Sequence, residues 1–318
     1  MENNPSPTII FFHQGFSPYL TFSLHQARLT QPNARLILLG DESNRIGGLD
    51  YEHRVIPPTS SRRTEFLATY RHFHPGHLED ERRCIERWLI LAEFLEEVSL
   101  PEFLFLDSDM LLFQDLRDYL PTWRGWDAAG APLFYSFCFF PRPSLVIEFA
   151  DWILGQYRDP KVMRLWEIRF QRHREGIRQD AGIIQDMELC RLFVEAASLR
   201  ILDVSQVNQN GWLVDTGKWG GAFLQGRASQ DRLAQRKPGR NVEAREWGAM
   251  LRFLALHVQG FDKSHISGFT GWSRAVWRAF FRPNYRKNLK YLLRYLWNGA
   301  RCRFWLSSWD PEKIDQEK

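Results

Sequence analysis

Four apolar residues, Phe103-Leu104-Phe105-Leu106, run without interruption into Asp107-Ser108-Asp109, and Met110-Leu111-Leu112-Phe113 follows at once. A continuous apolar run, as opposed to an alternating one, suits a strand buried on both faces of a parallel sheet. The carboxylates then fall at its C-terminal end, the edge along which open α/β sheets take ligands. If the chain stays extended through residue 109, Asp107 and Asp109 point the same way, because side chains in a strand alternate with period two. Two carboxylates so placed suit one hard divalent cation. The plain alternative is an Asx-rich turn that closes a strand. Asp-x-Asp alone does not decide between them.

The segments before and after this stretch read as alternating strands and helices. Thr8 to Phe12 is an apolar run ending in His13-Gln14-Gly15, a first strand and its loop. Ser17-Pro18 reads as an N-cap and a proline at the first helical position, with Leu20, Leu24 and Ala27 as the helical stripe. Arg35 to Asp41 is a second buried strand, so the first forty residues form a βαβ unit with a right-handed crossover expected. Tyr51 to Ile56 is a weaker strand stopped by Pro57-Pro58. From Glu79 to Val98 the period is helical, with Cys84, Trp88, Leu91, Leu95 and Val98 on one stripe. Two strands are expected at residues 127–130 and 135–140, then a helix opening at Pro143-Ser144. Residues 158–178 are rich in arginine with little periodicity and read as a solvent-facing helix or loop. A helix through Ile183, Met187, Cys190 and Val194 follows, then a short strand at 201–204. Residues 208–246 read as a long loop region, and Leu251 to Val258 as a late strand.

Composition excludes some classes. With 44% hydrophobic and 25% charged residues the chain is not a disordered one, and a formal net charge of +4 is too small to argue for nucleic acid. Cys84, Cys138, Cys190 and Cys302 lie far apart with no C-x-x-C spacing, which reads as reduced thiols in a cytosolic protein. The residues after Met1 form no basic and apolar leader, and no stretch approaches the ~18 uncharged apolar residues of a membrane span. A cytoplasmic protein is expected, with the inner membrane face as a second place for it.

His257-Val258-Gln259-Gly260-Phe261-Asp262-Lys263 follows the late strand as an H-x-x-G-x-x-K pattern. A neutral imidazole is a good third ligand for a Mn2+-like ion already held by two carboxylates. Gly260 lets backbone approach a bulky anion, and Lys263 can neutralise phosphate oxygens. Taken singly, a histidine at a strand end is usually structural and a lysine usually solvated. Their occurrence together, after an apolar run and roughly 150 residues beyond Asp-x-Asp, is far less expected by chance.

On Phe105-Leu106-Asp107-Ser108-Asp109 and His257 to Lys263, preceded by a βαβ unit, the chain resembles the GT-A-fold glycosyltransferases. The likeness is to the retaining glycogenin and bacterial galactosyltransferase group (glycosyltransferase family 8-like). It spans roughly residues 8–265. The resemblance implies an α/β fold, a GT-A-like Rossmann-type mixed sheet flanked by helices. It implies a nucleotide-binding half at about 8–120 and an acceptor and donor-sugar half at about 121–268. Asp107, Asp109 and His257 would hold Mn2+ or Mg2+. Donor contacts would come from His13, Gln14, Arg87, Ser108, Gly260 and Lys263, and the catalytic carboxylate facing the sugar from Asp186 or Asp180. The implied activity is metal-dependent transfer of a sugar, with retention, from a nucleotide-diphosphate-sugar to a glycan or lipid-linked acceptor, as in polysaccharide biosynthesis. Two features of the family are absent: the glutamine that follows its sugar-side acid, where Met187 stands, and its Asn-Ala/Ser-Gly strand.

Residues 269–318 form a basic extension. No acidic residue lies between Asp262 and Asp310, and Arg274, Arg278, Arg282, Arg286, Lys290 and Arg294 recur every four residues among aromatic and aliphatic ones. A basic amphipathic helix of this kind suits anionic lipid headgroups. Packing on the core with a solvated basic face is the equal alternative, and nucleic acid a weaker one. Two rival functions remain open: a haloacid-dehalogenase-like phosphohydrolase, which also ends a strand in Asp-x-Asp, and a non-catalytic GT-A-like protein docked on a membrane.

Overall fold

The structure, a computed structural model, describes residues 7–130, 134, 136–177, 183–205, 212–214, 234–236, 242–246 and 249–257. In chain order its elements are β1 (Thr8–Phe12), α1 (Pro18–Thr30), β2 (Leu36–Gly40), β3 (Glu52–Val55), α2 (Ser61–Thr69), α3 (Leu78–Glu97) and β4 (Phe103–Asp107). Next come β5 (Met110–Leu112), α4 (Leu120–Trp123), β6 (Ala128–Gly130), β7 (Phe137–Phe140), α5 (Ser144–Arg158), α6 (Pro160–Arg174) and α7 (Asp186–Ala196). The last strands are β8 (Ile201–Asp203), β9 (Trp212–Val214), β10 (Ala234–Arg236), β11 (Val242–Glu246) and β12 (Ala249–His257).

Seven strands form one sheet in the order β3-β2-β1-β4-β7-β6-β8. It is mixed: β1 and β2 run parallel, β6 and β7 antiparallel, β6 and β8 parallel. A second sheet runs β10-β11-β12-β5, with β9 beside β12. The fold is therefore α/β with a mixed sheet and flanking helices, as expected. The chain divides into two compact units.

The first unit takes in Met1–Arg54, Leu106–Tyr119 and Val204–Lys318. Its βαβ core follows from the apolar runs: Ile9, Ile10 and Phe11 of β1 and all of β2 are buried, with Ile9 opposite Leu36. Gln26 of α1 and Gln31, which caps its C-terminal end, hold the next crossing of the chain. Gln26 Nε2 donates to the Leu112 carbonyl at 2.8 Å and Gln31 Nε2 to that of Gln114 at 2.5 Å. Both amides are buried, so the bonds offset their loss of water.

The second unit comprises Val55–Phe105 and Leu120–Asp203. Its centre is Trp88 of α3, whose ring lies 5.2 Å from Phe105, 5.5 Å from Phe149 and within 6.4 Å of Phe134 and Phe140. The buried residues of α3 run from Ile85 to Leu95, about three of its turns, with Trp88 among them. Arg62 of α2 ties three helices by donating to Glu96 of α3 and to Asp151 of α5.

Three expectations change. The strand through residues 103–113 is not continuous: a turn at Ser108–Asp109 separates β4 from β5, which pairs with β12 in the second sheet. The premise that an extended chain aims both aspartates alike therefore fails. Of the helix or loop expected at 158–178 the helix forms at 160–174, α6, and it buries Met163 and Trp166, the latter against Phe73 and Tyr157. Residues 208–246 contain the strands β9, β10 and β11 and are not one long loop. The helix expected through Ile183 starts only at Asp186. The extension at 269–318 lies outside the described residues.

Candidate functional site

In the first unit, β1 and β4 end side by side. His13, directly after β1, places its Nδ1 2.9 Å from Ser108 Oγ, directly after β4. Asp109 is only 6% exposed and Asp107 is half-buried. Gln14 is half-buried one residue beyond His13. The order of strands thus brings His13, Gln14, Asp107, Ser108 and Asp109 to one sheet edge.

The end of β2 joins them. Asp41 accepts from the Gly15 N–H at 2.5 Å and from the Ser43 N–H at 2.8 Å. Burial pushes its carboxyl up, but these bonds and the nearby His13 outweigh burial and hold it below the usual carboxylate range. Gly15 takes φ +76°, the left-handed region that glycine enters without strain, which lets its N–H face Asp41. Asn44 donates to the His13 carbonyl at 2.5 Å and approaches Gly40 so closely that a Cβ there would collide with its side-chain amide. Asp41, Asn44 and Gly40 were not singled out in the sequence as site residues. The Gly-Asp ending of a buried strand was the one signal.

The backbone also places His257. In the antiparallel pair of β5 and β12, His257 stands opposite Met110, the residue after Asp109. Its side chain, and all of Gly260, Lys263 and Asp180, lie outside the described residues. Among the described residues no three His, Cys, Asp or Glu side chains form a metal-holding group. The carboxylates of Asp107 and Asp109 have the donor chemistry of a hard-cation site, and an imidazole added to them suits Mn2+.

The second unit carries the other residues singled out. Arg87, 8% exposed, lies 2.5 Å through Nη2 from Oδ2 of Asp186, itself 6% exposed. The two are 99 residues apart in sequence. The guanidinium carbon also lies 5.3 Å from the ring centre of Trp88 and 5.7 Å from that of Phe105, cation–π range. Asp186 opens α7, and its Oδ1 accepts from the Met187 N–H at 2.9 Å, so this carboxylate is fixed from two sides. Arg87, which stands outside the stripe of Cys84, Trp88, Leu91, Leu95 and Val98, is one of the buried residues of α3.

A histidine-rich loop before α3 is linked to α7. The Ile184 N–H donates to the Phe73 carbonyl at 2.9 Å. His72 lies 3.0 Å from the Tyr70 hydroxyl through Nδ1 and 3.1 Å from the Gly76 carbonyl through Nε2. The Gly76 N–H donates to His74 Nδ1 at 2.9 Å, and that same nitrogen lies 3.2 Å from Glu81 Oε1. Burial lowers the His74 imidazole, helped by His72 and His173. Burial raises the Glu81 carboxyl, helped by Asp186. Burial and Glu81 push the Tyr70 phenol up to about 12. No sequence pattern marked this loop.

No protein-family profile matches the chain, and no curated protein does. Among solved structures the chain is similar to glycosyltransferases. One is the galactosyltransferase LgtC in complex with donor and acceptor sugar analogues, at 14% identity and TM-score 0.43, covering 91% of this chain and 95% of that one. Another is mouse xyloside xylosyltransferase 1 in its apo form, at 8% identity and TM-score 0.42, covering 65% and 86%. A third is the glycosyltransferase GlyE of Streptococcus pneumoniae TIGR4, at 11% identity and TM-score 0.37, covering 94% and 64%. Likeness at these identities and TM-scores carries no donor, ligand set or mechanism over to this chain.

Proposed function

We propose that the chain is a nucleotide-sugar-dependent glycosyltransferase that uses a divalent cation at Asp107 and Asp109. The observation that carries this reading is the sheet edge where His13, Ser108 and the two aspartates meet, with His257 beside it in register. Such an edge, at the C-terminal ends of neighbouring strands, is where α/β sheets take nucleotides.

Breaking the bond between a sugar carbon and a diphosphate leaves added negative charge on the departing nucleotide. The cation, Mn2+ or Mg2+, would supply Lewis-acid neutralisation of that diphosphate, with Asp107, Asp109 and His257 as its protein ligands. Lys263 adds a fixed positive charge for the same oxygens, and Gly260 lets backbone approach them. The His13–Ser108 bond fixes the turn that carries the aspartates, so these need not reorganise on binding. The resemblance assigns the sugar side to Asp186, whose charge would favour a cationic sugar carbon, and a donor contact to Arg87, which pairs with that carboxylate here. Asp180 is the alternative acid. Transfer with retention to a glycan or lipid-linked acceptor belongs to the same reading.

The test is a screen of UDP-, GDP- and other nucleotide sugars with and without Mn2+, read by donor hydrolysis and by thermal shift. At a ligand concentration of about 100 Kd, stabilisation of about 2.7 kcal/mol is expected for the cognate donor. Asp109→Asn is expected to abolish the Mn2+-dependent shift while the protein still unfolds cooperatively. Neither stabilisation nor hydrolysis with any donor in Mn2+ would refute the transferase reading.

A further inference from the structure

The helix α6 has two unlike faces. Met163, Trp166 and Phe170 turn inward, where Trp166 and Phe170 both lie near Phe73. Lys161, Arg164, Leu165, Ile168 and Arg172 stand at spacings of three, four, seven and eleven from the first and so share the opposite face. All five are exposed, Leu165 at 46% and Ile168 at 38%. Ile177, just past the helix, is 66% exposed. The helix spends two of its few aliphatic side chains on water, at the pole farthest from its core.

Charge surrounds that pole. Lys161, Arg164, Arg169 and Arg172 stand on or beside that face, and Glu167 is the one acidic residue between Pro160 and Arg174. Glu167 pairs with Arg164 at 3.0 Å. Among the described residues the ion pair on α6 is Arg164–Glu167, which leaves Lys161, Arg169 and Arg172 outside it. Their cationic heads therefore retain their full attraction for an anionic partner.

We propose that the outward face of α6 docks on an anionic lipid bilayer. An acidic protein or a nucleic acid would answer the charge but offers no reason for aliphatic side chains at the centre of the basic face. A bilayer surface answers both, since anionic headgroups meet the lysine and arginines while Leu165 and Ile168 reach the acyl boundary. No helix among the described residues is long and apolar enough to cross a membrane, so the contact lies along the surface. This docking does not depend on the transferase reading. It would bring a lipid-linked acceptor and the protein to the same plane.

The experiment is sedimentation of the full chain with phosphatidylcholine vesicles, plain and doped with phosphatidylglycerol. Binding is expected only to the doped vesicles and is expected to weaken with added salt. Lys161→Gln with Arg172→Gln is expected to lower partitioning on the order of tenfold. Leu165→Ser with Ile168→Ser is expected to lower it at unchanged net charge. Glu167→Gln changes the charge in the other direction and is expected to strengthen binding, so loss of folding cannot mimic the whole series. Wild type that ignores doped vesicles, or variants that partition like wild type, overturns the proposal. So does a charge variant that loses only binding to duplex DNA. The response to nucleotide sugars is measured separately, so the two readings fail independently.

Discussion

His74 Nδ1 receives the Gly76 N–H, so that nitrogen carries no proton, yet Glu81 Oε1 lies 3.2 Å from it. A lone pair on that nitrogen and a charged carboxylate oxygen repel at this distance, which favours the protonated form of Glu81 relative to a free carboxyl. The directions agree: burial raises the glutamate, with Asp186 adding to it, and burial lowers the histidine. A carboxyl whose folded pKa lies above its unfolded value gives stability that is fully present below the unfolded pKa. That stability is lost as pH rises through the folded pKa. For the lowered histidine the loss comes as pH falls through its own folded pKa. Glu81→Gln keeps a donor toward His74 at every pH. The variant is therefore expected to match wild type near pH 4.5 and to become the more stable of the two as pH rises, read as thermal midpoint against pH. A variant that loses stability in parallel with wild type would place no proton on Glu81. None of this was legible in the sequence, because a shared proton depends on the angle at which Gly76 turns the loop. Arg87 and Asp186 were each singled out, but 99 residues separate them and their meeting needed the fold. That pair is held where losing one partner would leave a buried charge, a cost of about 3–5 kcal/mol.

Elements with one unbroken signal were the legible ones. The runs of β1, β2 and β4 and the long stripe of α3 announce themselves, since burial on two faces or along several turns leaves little choice of residue. The turn at Ser108–Asp109 was hidden for the same reason, because β4 and β5 are both fully apolar and read as one strand. The inner stripe of α6 is narrow, and arginines around it mask its period. The short strands β10 and β11 alternate charged and small residues, a weak signal in any window. For α6 the assignment of faces is testable. Trp166→Ala opens a cavity in a site that is 2% exposed and is expected to cost about 3–5 kcal/mol in urea unfolding. Leu165→Ala on the outward face is expected to stay within about 0.5 kcal/mol. Equal costs at the two positions would mean that the helix is turned differently.

Over the whole chain, the pairing of β5 with β12 joins residues that the sequence keeps far apart, Met110 beside His257. The sequence suggested the two motifs as companions on chemical grounds, and strand register is what sets the backbone of His257 beside that of Met110. Register is also what makes the C-terminal third of the chain a matter of stability as well as of ligands. Met110, Leu111 and Leu112 are fully buried, and among the described residues β12 is the strand that pairs with them. A chain ending at Asp203 keeps β1, β2 and β4 but leaves β5 as an open apolar edge, the kind of edge that recruits other chains. Such a fragment is expected to aggregate, or to unfold without a cooperative transition by circular dichroism. A chain ending at residue 268 retains β9 to β12 and both segments proposed to hold the cation. If the basic extension is separable, this longer fragment unfolds cooperatively and keeps the Mn2+-dependent shift. A fragment of 1–268 that behaves like 1–203 would make residues 269–318 part of the catalytic domain, because the longer fragment differs from the whole chain by those residues alone.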